Sequence, residues 1–174
     1  MSFIVHDHAE HDPPDSEFRE RLPGHHCPDG ARTCMSDLYD LQRFVDAQNL
    51  VFDQVLRELR DGRKQSHWMW FVFPQIHGLG HSPMAEKYAI SSRAEAEAYL
   101  GHPILGPRLR QCSLLVTQVE GRSIEKILGY PDNMKFRSSM TLFAHATTDN
   151  QVFTDALRKY FAGTFDPLTL ERIA

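Results

Sequence analysis

Cysteine is scarce in this chain of 174 residues. Cys27, Cys34 and Cys112 are too few and too scattered for a disulfide framework in a sequence long enough to bury one core, which points to a reducing, cytoplasmic setting. Long apolar runs are missing too. Nothing approaches the roughly 18 uninterrupted apolar residues of a membrane helix. The apolar stretch from Phe3 to Val5 meets His6 and Asp7 at once, so no signal-peptide pattern is expected either. Positive charge is not in excess: 19 Lys and Arg face 23 Asp and Glu, a net charge of -4, which gives no electrostatic reason to expect a nucleic acid polymer. A Walker loop, a strand-length alternation and an Asn-Gly or Asp-Gly hairpin are absent as well.

The charge that is there is unevenly placed. Residues 1–36 hold seven acids and three bases, and the rest of the chain holds sixteen of each, so the whole excess sits in the first fifth. That first segment also carries Pro13, Pro14, Pro23 and Pro28 and five of the ten histidines, without a sustained apolar period. Such a composition buries too little surface to offset its ordering entropy, and predicts a flexible acidic tail over 1–36 ahead of a domain over 37–174. His6, His8 and His11 with Asp7, or His25 and His26 with Cys27 and Cys34, invite a metal reading. Their spacing matches no familiar zinc pattern, so no metal and no other cofactor is predicted.

From Ser36 the pattern turns helical. Ser36 or Asp37 is placed to cap a segment whose Leu38, Leu41, Phe44 and Val45 share a face, and Phe52, Val55, Leu56 and Leu59 repeat the spacing after a break near Asn49. Ser91 or Ser92 can start a short alanine-rich helix ending at Gly101. Leu105, Leu109, Cys112, Val116 and Val119 then step by four, three, four and three, which puts Cys112 on an apolar face as a buried small hydrophobe rather than a nucleophile. Ser123 to Leu128, Pro131 onward, Asn150 onward and Asp166-Pro167 open the remaining helices. The expectation is an all-α, compact, irregular domain of seven to nine short helices.

Chemistry concentrates between residues 64 and 82, where both tryptophans of the chain fall. Trp68 to Phe73 has no polar face, so periodicity leaves strand and helix open; helical neighbours and Ser66 as a cap favour a helix ending before Pro74. Lys64, His67, Gln75, His77 and His81 flank this run, and Gly78 and Gly80 let the backbone come close to a ligand or adopt a positive φ. An aromatic wall edged by donors and glycines is a common way to build a pocket for a planar ligand. Bulk packing is the competing explanation of the tryptophans.

The run His67-Trp68-Met69-Trp70-Phe71-Val72-Phe73-Pro74-Gln75 is followed by Leu79-Gly80-His81-Ser82, Tyr88-Ala89-Ile90, Glu95-Ala96 and Tyr99-Leu100. Then come His102-Pro103-Ile104-Leu105-Gly106-Pro107-Arg108-Leu109 and the set Lys135, Ser138, Ser139, Thr141, Leu142 and Phe143. In these elements the chain, from about Asp37 to Ile173, closely resembles the mostly bacterial family catalogued as domain of unknown function 1810, in the Rv1873-like superfamily and sometimes labelled calpastatin. The resemblance implies a compact, mainly helical fold and no established catalytic residues; nothing in these residues supports a protease inhibitor.

Two functional readings compete. In the first, the domain binds a small polar or nucleotide-like ligand, as an enzyme or a sensor. Trp68 and Trp70 would form the wall, Lys64, His67, Gln75, Arg108 and Lys135 the donors, and Ser82, Ser138 and Ser139 the hydroxyls, with His67 or His102 able to move a proton near neutrality. A weak general likeness to enzymes that hydrolyse ADP-ribose-like N-glycosides matches no catalytic motif, and the only acids near the motif are Glu86 and Glu95. In the second, the aromatic centre is entirely core, and the tail or a helix face meets a protein partner. Each polar residue also has a structural role open to it: His102 beside a helix start, Arg108 and Arg110 paired with Glu95 or Glu97, and Ser138 and Ser139 bonded to helix carbonyls.

Overall fold

Ten helices and no strand make up residues 38–174, the part of the chain that this computed structural model describes. The tail expected over 1–36, with its histidines and Cys27 and Cys34, and the caps expected at Ser36 and Asp37 lie outside the described residues. The helices are α1 (Gln42–Asn49), α2 (Phe52–Arg60), α3 (Met69–Val72), α4 (Pro83–Lys87) and α5 (Arg93–Gly101), then α6 (Leu105–Gln118), α7 (Ile124–Leu128), α8 (Asp132–His145), α9 (Gln151–Phe161) and α10 (Pro167–Ile173). The all-α class predicted from the periodicities is thus the observed one. The helix beyond the predicted nine is α4, which buries no residue and so leaves no apolar period to read; Ser82 caps it by accepting from Ala85 N, and Pro83 fits its first turn.

Most breaks fall where the chemistry places them. α1 and α2 part at Leu50 and Val51, Ser92 caps α5, Ser123 caps α7, and Gly129 ends α7 with φ of 81°. Two predicted caps are corrected. Ser66 does not cap α3, because its Oγ donates to Glu58 Oε1 at 2.6 Å. Asn150 precedes α9 without a side-chain cap, because its Nδ2 donates to Ala144 O at 3.0 Å.

The two longest helices, α6 and α8, organise the rest. α8 buries nine of its fourteen residues, on more than one face, as a helix surrounded by others must; α5, α7, α9 and α10 all pack on it, while α6 meets α2, α3, α5 and α9. The aromatic segment enters between them. Phe73 stands edge-on to Phe136 of α8 with centroids 4.9 Å apart, and Tyr99 of α5 bridges Phe44 and Phe143. Gln48 ties α1 to α3 by donating to Phe71 O at 2.7 Å and to the Tyr99 hydroxyl at 3.0 Å. Burial pushes the Tyr99 hydroxyl's pKa above its ordinary value, although the Gln48 bond opposes this, so it stays a neutral member of the core.

Cys112 lies at the middle of α6 with no exposed surface, as its place in the apolar period predicts. Burial pushes its thiol up to about 12, despite the nearby Arg108 charge, so the nucleophilic thiolate does not form at neutral pH. Peptide mapping after iodoacetamide treatment should find Cys112 unmodified in the folded protein and alkylated in denaturant; alkylation of the native protein at the rate of a free thiol would contradict the placement. Among the described residues no helix is long and apolar enough to cross a membrane.

Candidate functional site

After α3 the chain cannot continue as helix into Pro74 and runs extended, where Ile90 N donates to Gln75 O at 2.9 Å and His77 N donates to Ile90 O at 2.8 Å. This single parallel bridge, Ile76 to Ile90, fixes a loop that returns through Gly78 and Gly80 to α4. Gly80 is required there, since a Cβ would stand 2.6 Å from that of Ala85. Arg172 of α10 donates to Gly78 O at 3.2 Å and holds the loop from its other side. Between this loop, α3, α4 and α8 lies a cleft lined by Trp70, Gln75, Tyr88, Ala85 and Lys135, among others. Its inner space is about 10 Å³, the room of a single water.

The two tryptophans take opposite roles. Trp68 is 1% exposed, and its indole donates to Glu58 Oε2 at 2.8 Å, so it is core and offers no free face. Glu58 also accepts from Gln65 N, Ser66 N, Ser66 Oγ and Gln54 Nε2. Burial alone would raise its pKa, but the bonds from Gln65, Ser66 and Trp68 together hold it down to about 2. Trp70 is only partly covered, yet its Nε1 is buried and has no hydrogen-bond partner in the protein. Lys135 lies over the Trp70 ring at 4.8 Å from the centroid.

Lys135 belongs to a three-residue charge cluster. Its Nζ donates to Asp132 Oδ1 at 2.7 Å, and Lys64 Nζ meets Asp132 Oδ2 at 2.8 Å. The side chains are 21%, 15% and 9% exposed for Lys135, Asp132 and Lys64, so water screens them only in part. Burial works against the Asp132 charge, and the bonds from Lys135 and Lys64 outweigh it, so its pKa is lowered. Two ammonium groups thus share one carboxylate and leave one positive charge at the cleft wall.

Of the predicted site residues, the structure brings Trp70, Gln75 and Lys135 to one cleft and attaches Lys64 through Asp132. The others go elsewhere. His67 is exposed, and Ser82 caps α4. His102 Nδ1 accepts from Ile104 N and Leu105 N at the start of α6, and its partial burial lowers its pKa. Arg108 pairs with neither Glu95 nor Glu97: it donates to Gln48 and Asn49 and stacks on Phe52. Arg110 meets Asp149, while Glu95 takes Arg43 and Glu97 takes Arg93. Ser138 bonds to Met134 O, as a helical serine can, and to Asp166. Ser139 is fully buried with its Oγ unpartnered. The sequence reading missed Asp132, although its i, i+3 spacing to Lys135 in a first helical turn was visible.

Wider hollows open on other surfaces, one of about 380 Å³ beside Arg110, Leu114 and Asp149, and bring no predicted site residues together. Among the described residues no group of three His, Cys, Asp or Glu side chains could hold a metal ion.

Fold and cleft together define an irregular all-α domain built around an aromatic segment, with one lysine-walled cleft at its edge. The chain belongs to the family described as "Protein of unknown function (DUF1810)", whose profile matches residues 38–173. It is similar to the conserved hypothetical protein Rv1873 from Mycobacterium tuberculosis, known from a crystal structure, with 58% identity over 79% of this chain and 98% of that one and a TM-score of 0.78. No curated protein matches the chain.

Proposed function

We propose that this domain binds a small polar ligand at the cleft between Trp70, Gln75 and Lys135, and that it does so in a bacterial cytoplasm. The observation that carries the reading is the buried, unpartnered Trp70 Nε1 in a residue that lines the same cleft as Gln75 and an incompletely neutralised lysine pair. An indole N–H left without a partner costs about 1–3 kcal/mol. That cost is recovered when a water, or the ligand atom that displaces it, accepts from the group. The cleft is a recognition site for one narrow polar group, with the rest of the ligand outside it; nucleotide-like compounds fit this reading through a polar substituent and not through a ring stacked on Trp68.

The acids weigh against hydrolysis of an N-glycoside at this cleft. Glu95 is bound by Arg43 and Ser91, Glu86 lies exposed on α4, and Asp132 is held ionised by two lysines. None of them is placed to donate a proton to a leaving group at the cleft. The expected result of a thermal-shift screen with small metabolites, nucleotides and ADP-ribose is stabilisation by at least one compound, an effect that Trp70→Phe removes while leaving the unliganded melting temperature within a few degrees. A screen in which no compound moves the wild-type protein, or one in which Trp70→Phe responds as wild type does, would overturn the reading.

A further inference from the structure

We infer that the group this cleft takes is a carboxylate, one oxygen of which occupies the water-sized space beside Trp70 and Lys135; the inference rests on the binding reading above. Three observations converge on it. The first is hydrogen-bond polarity: an indole N–H and an ammonium can only donate, so Trp70 and Lys135 both call for an acceptor. The ammonium of Lys135 carries three donors and gives one to Asp132, which leaves two for a ligand. Gln75, which lines the same cleft, supplies an amide able to donate a further bond.

The second is charge. Asp132 uses one oxygen on each lysine, so Lys64, Asp132 and Lys135 sum to one positive charge in a setting only 9% to 21% exposed. No acidic side chain lines the cleft among the described residues. A bound monoanion completes the balance, and its charge-assisted bond to Lys135 is roughly twice as strong as a neutral one. Lys64 acts as a positioning residue: it holds the far oxygen of Asp132, so that Asp132 cannot wholly neutralise Lys135.

The third is size. Space for about one water admits a single carboxylate oxygen from a flat group. A phosphate or sulfate would present such an oxygen from a tetrahedral centre that crowds three further oxygens against the walls, where a carboxylate brings one more oxygen in a plane, so the carboxylate is the better fit. The same restriction puts the discrimination on the head group and leaves the tail of the acid, which stays outside this space, loosely specified.

The test compares butanoate with its neutral isostere butanamide and with inorganic phosphate, using the full chain at constant ionic strength and calorimetric titration. The expected result is that butanoate binds at least about tenfold more tightly than butanamide, the difference between a charge-assisted and a neutral hydrogen bond. Phosphate should give no more heat than chloride. Lys135→Met and Trp70→Phe should each weaken butanoate about tenfold or more, and Lys64→Met should lower the preference for the acid over the amide. Equal affinity for acid and amide, or a preference for phosphate, would overturn the carboxylate inference while leaving a ligand cleft in place. Binding of neither acid nor amide to the wild-type protein would overturn the inference, and only the broader screen would then decide the binding reading. The wild-type comparison of acid and amide stands even if a variant fails to fold.

Discussion

Glu58→Gln is expected to destabilise the domain by about 3 kcal/mol at neutral pH and to flatten the acid limb of its stability curve. Glu58 is 5% exposed and its two oxygens accept five donors, two of them the consecutive backbone amides of Gln65 and Ser66 just ahead of the aromatic segment and one the Trp68 indole. An amide in its place offers one acceptor oxygen and turns an N–H₂ toward groups that also donate. The bonds on the lost oxygen are broken or reversed, and those kept by the other oxygen, the Trp68 indole's included, change from charge-assisted to neutral, at about 1 kcal/mol each. The same bonds set the pKa: a carboxyl lowered from 4.5 to about 2 contributes roughly 3 kcal/mol, at about 1.4 kcal/mol per pH unit. The folded value lies below the unfolded one, so this contribution is complete above pH 4.5 and disappears as pH falls from there toward 2. Urea unfolding across that window should show the wild-type protein losing the difference and Glu58→Gln holding a flatter line. Equal stability of the two proteins at pH 7 would contradict the role of Glu58 as the anchor of Trp68.

The second large effect lies in the His102-Pro103-Ile104-Leu105-Gly106 turn, where α5 hands over to α6. A Cβ on Gly106 would stand 2.0 Å from the carbonyl oxygen of Leu100 and 2.9 Å from its carbonyl carbon. Both are backbone atoms of a packed helix end, so no side chain can rotate away, and the two helices must separate. Gly106→Ala is expected to cost about 3 kcal/mol or more, at the upper end of overpacking effects. The control is Gly101→Ala, a few residues away, where nothing lies within 4 Å of the new atom. It removes backbone freedom from the unfolded chain and should stabilise by up to about 1 kcal/mol. Melting temperatures that move in opposite directions would support this account, and a neutral Gly106→Ala would contradict the close approach of α5 and α6.

The two sites show what kind of information the sequence holds. The apolar steps from Leu105 to Val116 named the buried face of α6 correctly, Cys112 included, because a helix packed on one side writes its contacts in its own period. α4 wrote nothing there, since it buries no residue and depends on its cap and on the Gly80 contact. Trp68 and Trp70 lie two residues apart where the chain enters a helical turn, roughly 200° around its axis, so one tryptophan had to face the core and the other its edge. Which one did so was settled by Glu58, whose place on the buried side of α2 beside Leu59 was the visible but unused signal.

The candidate site was half legible for a similar reason. Trp70 and Gln75 are close in sequence, and their neighbourhood followed from the motif. Lys135 joins them only because α8 runs through the middle of the domain, and that depends on long-range packing of Phe136 against Phe73 rather than on any local spacing. Arg108 was legible as a cation and not as a partner of Gln48 and Asn49, because both partners sit at the end of α1, about sixty residues away in the chain.

The central claim is that Trp70 Nε1 is a ligand donor while Trp68 Nε1 is a structural one. The chain has only these two tryptophans, so the indole region of a proton–nitrogen correlation spectrum contains two signals, and the Glu58-bound Trp68 is the internal reference. Titration with a small carboxylate should shift the Trp70 indole signal in a saturable manner and leave that of Trp68 in place. A Trp70 signal that stays fixed throughout the titration, or two signals that move together, would contradict the account.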